Sequence, residues 1–159
     1  MHEEDHLEKV GVKKEMTWKT HMLLGAIAGY WAYPSWKGSV IGATMALVPD
    51  IDQARSKLGH FLGPVSKMLQ KGLGHRTLTH SWVILLLPAA FWGDSPEGWA
   101  ALWGLLSHLI SDMLVGRIQL FWPLRMGWVG VRLSRALYGT VDRLVFYAAI
   151  VYIIYMGYM

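Results

Sequence analysis

The sequence predicts an all-α fold: a polytopic membrane helical bundle of about five short transmembrane helices, with interfacial amphipathic helices beside it. Three observations lead there. Of 159 residues, 53% are hydrophobic and only 16% charged, a balance too apolar for an ordinary small soluble domain. Apolar segments recur at roughly 21–33, 38–49, 80–92, 98–115 and 144–159. The positive charges are sorted between the connections. If the segments alternate across a bilayer, one side receives Lys9, Lys13, Lys14, Lys19, Arg55, Lys57, Lys67, Lys71, Arg76, Arg117, Arg125, Arg132, Arg135 and Arg143. The other side has only Lys37, in "YPSWKG", together with "GDSPEG" and the C-terminus. Cytoplasmic loops carry this excess of Lys and Arg. The expectation is a multi-pass protein of the cytoplasmic (inner) membrane, N-terminus inside and C-terminus outside.

Each segment alone falls short of the about 20 residues that cross a hydrocarbon core. Flanking Trp and uncharged polar residues lengthen the first two to 17–35 and 36–52, short spans joined by a turn at Pro34-Ser35. Local bilayer thinning absorbs the remaining mismatch. Tyr30, Trp31, Trp36, Trp92, Trp99, Tyr155 and Tyr158 then form an outer aromatic belt, and Trp18, Trp82, Trp122 and Trp128 an inner one, as rings with one apolar and one polar end prefer. Residues 1–16 read as a charged cytoplasmic tail whose acidic start argues against a cleaved signal peptide. Residues 17–159 read as a single integral-membrane domain.

In "SKLGHFLGPVSKMLQKG", Leu58, Phe61, Leu62, Val65, Met68 and Leu69 recur at helical spacing, with Lys57, Lys67 and Lys71 between them. Pro64 suits a first turn and Gly72 a helix end. A helix pair on the inner membrane surface is expected, its lysines toward anionic head groups. "RMGWVGVRLSR" has a similar interfacial character. The net charge of +4 is explained by this topology, so no nucleic-acid partner is expected.

The chain has no Cys, so a transition metal must be held by His and carboxylates. The topology delivers such groups to one depth. His21 opens the first segment, and "VPDIDQ" closes the second with Asp50 and Asp52. An extended turn after Pro49 would point both carboxylates to one side. "GHRTLTHS" enters the third segment, with His75 before the helix, Thr77 or Thr79 as its N-cap and His80 in its first turn. "SHLISDM" closes the fourth with His108 and Asp112 four apart on one helical face. Buried ionisable groups at a membrane boundary are costly unless paired or bound to an ion. The predicted ligand set is therefore His21, Asp50, Asp52, His75, His80, His108 and Asp112. It suits a divalent metal, zinc foremost with Mn or Fe as alternatives, as one ion or two. His2, His6 and His60 lack such company and read as surface residues.

At these residues the chain resembles the YdjM-like membrane-bound metal-dependent hydrolases of bacteria and archaea. The resemblance covers about residues 20–125 and rests on "VPDID", "SKLG" running on to "GHRTLTHS", and "GLLSHLISDMLVGRIQLFWP". It implies a multi-pass protein with a metal centre and hydrolytic activity, the seven predicted ligands occupying matching positions. The family often carries a Gly-Ser and an acidic residue before its last segment. Here "YGTVDR" matches loosely, which leaves Asp142 unassigned. The ligand order is also similar to that of zinc-dependent phospholipase C, an analogy of pattern.

These readings converge on an enzyme, a metal-dependent hydrolase of the phospholipase or phosphoesterase kind. It would cleave a phosphoester of a lipid or other amphipathic substrate at the cytoplasmic interface by a metal-activated water. Asp52 is the candidate bridging ligand or base, and Arg76 the candidate holder of developing negative charge. Thr77, Thr79 and Ser81 read as caps or orienting hydrogen bonds. The alternatives are a non-catalytic protein with a structural metal site and a metal-dependent amidase or peptidase, the latter weakened by the absence of H-E-x-x-H. A transporter is disfavoured because outer halves such as "VILLLPAAF" offer no polar path.

Overall fold

The computed structural model describes residues 16–52, 63, 78–124, 126–131 and 133–158, the side chains of 52, 135 and 136 excepted. Residues 1–15 of the charged tail, the paired surface helices expected in 56–72 except Gly63, His2, His6, His60, His75 and Arg76 lie outside the described residues.

Helix α1 spans Trp18–Ala32 and α2 spans Trp36–Met45. Pro34 forces the break between them, and Ser35 caps α2 by accepting from the Gly38 N–H at 3.0 Å. A 3₁₀ turn, Val48–Asp52, comes next. A second 3₁₀ turn, Trp82–Leu85, runs into α3, Leu86–Trp92. Helix α4, Pro96–Val115, is built from clear end signals. Ser95 accepts from the Gly98 N–H at 3.0 Å, Pro96 and Glu97 occupy the first turn, and Gly116 ends the helix with its N–H on the Asp112 carbonyl at 2.8 Å. A two-stranded hairpin, β1 Arg117–Ile118 and β2 Val129–Gly130, precedes α5, Arg135–Tyr158.

The expected apolar segments thus appear as helices, and their directions alternate. Asp142 meets Thr17 and Thr20 at one end of α1, and the Tyr152 hydroxyl accepts from the Trp31 indole N–H at 2.8 Å at the other, so α1 and α5 run parallel. Length supports part of the five-span expectation. Only α4 and the Leu137–Tyr158 part of α5 are long and apolar enough to cross a membrane among the described residues. The 15 residues of α1 and 10 of α2 reach about 22 and 15 Å at about 1.5 Å per residue, against about 30 Å of hydrocarbon.

Two local expectations are corrected. "VPDID" is not an extended turn: with Pro49 suited to an opening turn, it coils as a 3₁₀ helix. Residues two apart there diverge by about 240°, so the period-two argument for Asp50 and Asp52 fails. Nor does His80 lie in a helical first turn. The N-cap is Ser81, whose hydroxyl turns back to donate to the Leu78 carbonyl at 2.7 Å, so Thr79 is not the cap and His80 sits in the turn before it.

The core of the fold is a seam of small residues. Gly25 and Gly29 of α1 face Gly38 and Gly42 of α2, and Gly104 of α4 packs on Gly42. A Cβ on Gly42 would meet the Gly25 carbonyl oxygen and lie 2.7 Å from the Gly29 Cα. No side chain fits, and the three backbones are in contact, the close approach that G-x-x-x-G pairs permit. Each stripe then continues at spacing four: Gly29, Gly25 and His21; Gly38, Gly42, Ala46 and then Asp50; Ala100, Gly104, His108 and Asp112, all buried. One end of each stripe lets the helices touch, and the other carries polar groups inward. Ile84, Leu105, Leu109 and Ile118 form an apolar cluster beside the polar end.

Candidate metal centre

The four-residue spacing puts successive stripe positions on one helix face, so the seam aims His21, His108 and Asp112 at a common point. Asp50 arrives from the 3₁₀ turn and His80 from the turn before α3. His21, His80, His108 and Asp112 are each at most 1% exposed, while the Asp50 side chain is 11% exposed.

Asp112 is central. Its Oδ1 lies 3.3 Å from His21 Nε2, and its Oδ2 lies 3.3 Å from His80 Nε2 and 3.6 Å from His108 Nε2. His108 Nε2 is 3.2 Å from His80 Nε2 and 3.9 Å from Asp50 Oδ1. The His21 and His108 rings stack with centroids 3.9 Å apart.

The outward nitrogens are held. His108 Nδ1 donates to the Ala46 carbonyl at 2.6 Å. The Ser111 hydroxyl donates to the His108 carbonyl at 2.8 Å and so accepts from His21 Nδ1 at 2.9 Å. Thr79 Oγ1 meets His80 Nδ1 at 3.1 Å. Holding Nδ1 as a donor turns the Nε2 lone pair inward, the arrangement of metal-ligating imidazoles.

This donor set fits a divalent metal. Ligand atoms about 2.1 Å from zinc at the tetrahedral angle stand about 3.4 Å apart, close to the separations around Asp112. Inward lone pairs and a buried carboxylate concentrate negative potential, at a desolvation cost of several kcal/mol per ion that a central cation offsets. Two buried triads could hold an ion: His21, Asp50 and His108; and His80, His108 and Asp112.

Of the seven predicted ligands, five are brought together: His21, Asp50, His80, His108 and Asp112. Asp52 closes the 3₁₀ turn but its side chain is outside the described set, as is His75; Arg76, the predicted charge holder, is outside it too. Asp142 is buried and serves another role. It accepts from the Thr17 N–H at 3.0 Å and the Thr20 hydroxyl at 2.7 Å, capping α1 from a distant helix. Sequence reasoning missed Ser111 and Ala46, which orient the imidazoles. It also missed the paired G-x-x-x-G motifs, whose signal was visible in "GAIAG" and "GSVIG".

A family model described as "YdjM inner membrane protein" matches residues 16–159. The chain belongs to the YdjM inner membrane protein family. "Inner membrane protein YdjM" of Escherichia coli (strain K12) is 39% identical over 89 residues, 50% of this chain and 45% of that protein. "Uncharacterized protein YvsG" of Bacillus subtilis (strain 168) is 34% identical over 118 residues, 68% of this chain and 74% of that protein. The match to the E. coli YdjM relative thus spans less than half of its length. No solved structure matches. Membership of the YdjM family makes this a membrane protein, consistent with the two candidate spans.

Proposed function

We propose that the protein is a membrane-embedded metal-dependent hydrolase acting on a phosphoester of a lipid or other amphipathic substrate at the cytoplasmic interface. We further propose five short segments alternating across the inner membrane, N-terminus inside and C-terminus outside, α1 and α2 being accommodated by local thinning. The observation that carries the functional reading is the convergence of five ligand-type side chains, His21, Asp50, His80, His108 and Asp112, with neighbouring ligand atoms 3.2–3.9 Å apart.

His21, His80, His108 and Asp112 would hold the metal, with Asp50 and the predicted His75 and Asp52 completing the set. Bound there, zinc, or Mn or Fe in its place, supplies a Lewis acid for a phosphoryl oxygen and lowers the pKa of a water. The chain's own groups do the rest. Asp112 faces His21 with one oxygen and His80 and His108 with the other, and would be a ligand of such a metal. Asp50, the most exposed of the five, is placed to take a proton at its carboxylate. Arg76 is the proposed holder of negative charge on the substrate. Ser111 and Ala46 keep two imidazoles in one tautomer through the cycle.

A second reading, a closed structural metal site, draws support from the near-complete burial of four of the five groups. One experiment separates them. Metal content is measured on detergent-purified wild type, His80→Ala and Asp112→Ala, and the samples are assayed against phospholipids and a generic phosphodiester. Stoichiometric metal lost in both variants, with head-group release by wild type alone, supports the hydrolase. Metal without turnover leaves the structural reading, and wild type that takes up no added metal sinks both.

A further inference from the structure

We propose that Asp142 is a positioning residue of the metal centre: from α5 it fastens the first turn of α1 and so holds His21 against Asp112. The proposal rests on the metal-binding part of the reading above and is independent of hydrolysis. Helix α1 starts without help from its own sequence. The first N–H groups of a helix have no partner within it and need one from outside, yet Thr17, the N-cap residue, makes no side-chain cap bond and the first turn has no acidic residue. Asp142 supplies both from a distant helix. Its Oδ1 accepts from the Thr17 N–H at 3.0 Å and from the buried Thr20 hydroxyl at 2.7 Å, and it lies 3.4 Å from the Thr17 hydroxyl. With Thr20 donating to Asp142, the Thr17 hydroxyl donates to Thr20 Oγ1 at 2.9 Å. A carboxylate at this end also complements the helix dipole.

The residue that depends on this turn is His21. Its N–H donates to the Thr17 carbonyl at 3.1 Å, closing the turn, and its Nε2 lies 3.3 Å from Asp112 Oδ1. Thr20 thus reaches α5 while its neighbour His21 reaches α4, and one turn of helix links the two. Unfastened helix ends open at little cost. Opening here would draw His21 away from Asp112 and from the Ser111 hydroxyl that holds its Nδ1. Helix α5 has a second tie to α1, the bond from the Trp31 indole N–H to the Tyr152 hydroxyl at 2.8 Å. That tie lies at the far end of α1 from His21 and provides the control.

Zinc affinity is measured on the full-length protein in detergent by competition with a chromogenic chelator, with circular dichroism to establish that each variant is folded. Asp142→Ala is expected to bind zinc about 10-fold more weakly, the low end of the range for a lost outer partner, and Thr20→Val to fall in the same direction. The double variant should bind no more weakly than Asp142→Ala, since both substitutions cut one connection. Asp142→Asn and Thr20→Ser keep the acceptor and the hydroxyl, and should restore wild-type affinity. Tyr152→Phe cuts the other tie and should leave zinc affinity unchanged. Wild-type affinity in folded Asp142→Ala overturns the proposal. So does an equal loss in Tyr152→Phe, because the docking of α5 in general would then govern the site. If Asp142→Ala does not fold, the comparison of Thr20→Val with Thr20→Ser decides, and equal affinities overturn the proposal. Wild type that takes up no zinc overturns the positioning role together with the metal centre, which sets that outcome apart from failure of the positioning role alone.

Discussion

The two ends of the α1–α2–α4 core are made from the same stripes and differ in what they bury. At one end Gly25, Gly29, Gly38, Gly42 and Gly104 bring backbones into contact. At the other, His21, Asp50, His108 and Asp112 fill the space that the same helices enclose with polar groups. The glycine end is satisfied within itself, since helix backbones carry their own hydrogen bonds. The polar end concentrates lone pairs and a carboxylate, which a cation stabilises. Close packing and ligand convergence are therefore linked: the absence of Cβ atoms at the seam brings the helices close enough for His21 of α1 to approach Asp112 of α4 at 3.3 Å.

The comparison breaks most completely at the seam. Gly42→Val places a side chain into the backbones of α1 and α4, a misfit beyond the about 1–3 kcal/mol of ordinary overpacking. Thermal aggregation in detergent should show a large loss of folded protein, and any survivor should have lost its metal. A Gly42→Val protein that keeps wild-type stability would show that the seam does not set the spacing.

Asp112→Asn keeps the volume and removes the charge. Metal content should fall from stoichiometric to near background while the metal-free protein keeps its helical circular dichroism. Retained metal would place the ion elsewhere. Ser111→Ala is subtler, because it removes the acceptor for His21 Nδ1 and a donor to the His108 backbone carbonyl but no ligand-type group. Competition with a chelator should show metal affinity about 10–100-fold weaker, the usual effect of losing an outer hydrogen-bond partner. An unchanged affinity would mean that the stacking of His21 on His108 alone orients the ring.

The smallest effect is expected at Gly139. It lies in α5 with nothing within 4 Å of an added Cβ, so Gly139→Ala should leave metal content intact and raise stability by at most about 1 kcal/mol through helix propensity. A large loss at Gly139 would mean that α5 is packed against something beyond the described core.

Much of this was legible in the chain. Apolar length outlined the helical segments, and Pro34-Ser35 marked the turn between the first two, because chain breaking is local chemistry. His108 and Asp112 were readable as a pair because spacing four is a helical face. Asp112's central position was not, since bridging was expected of Asp52. Nor was the distant role of Asp142, which caps a helix more than a hundred residues away. The 3₁₀ coil at "VPDID" escaped because a Pro-initiated turn and a short helix open with the same residues and diverge only further along the chain. The glycine motifs were in plain view, but only their pairing across helices gave them meaning.

What the sequence by itself determined is the membrane character, the helical segments and the types of ligand, all properties of composition and near neighbours. Tertiary structure alone decided which carboxylate sits among the histidines, which nitrogen of each ring points inward, and that a three-helix glycine seam sets the distances. Those depend on backbones far apart in sequence meeting at van der Waals contact, and no local pattern encodes where that contact falls.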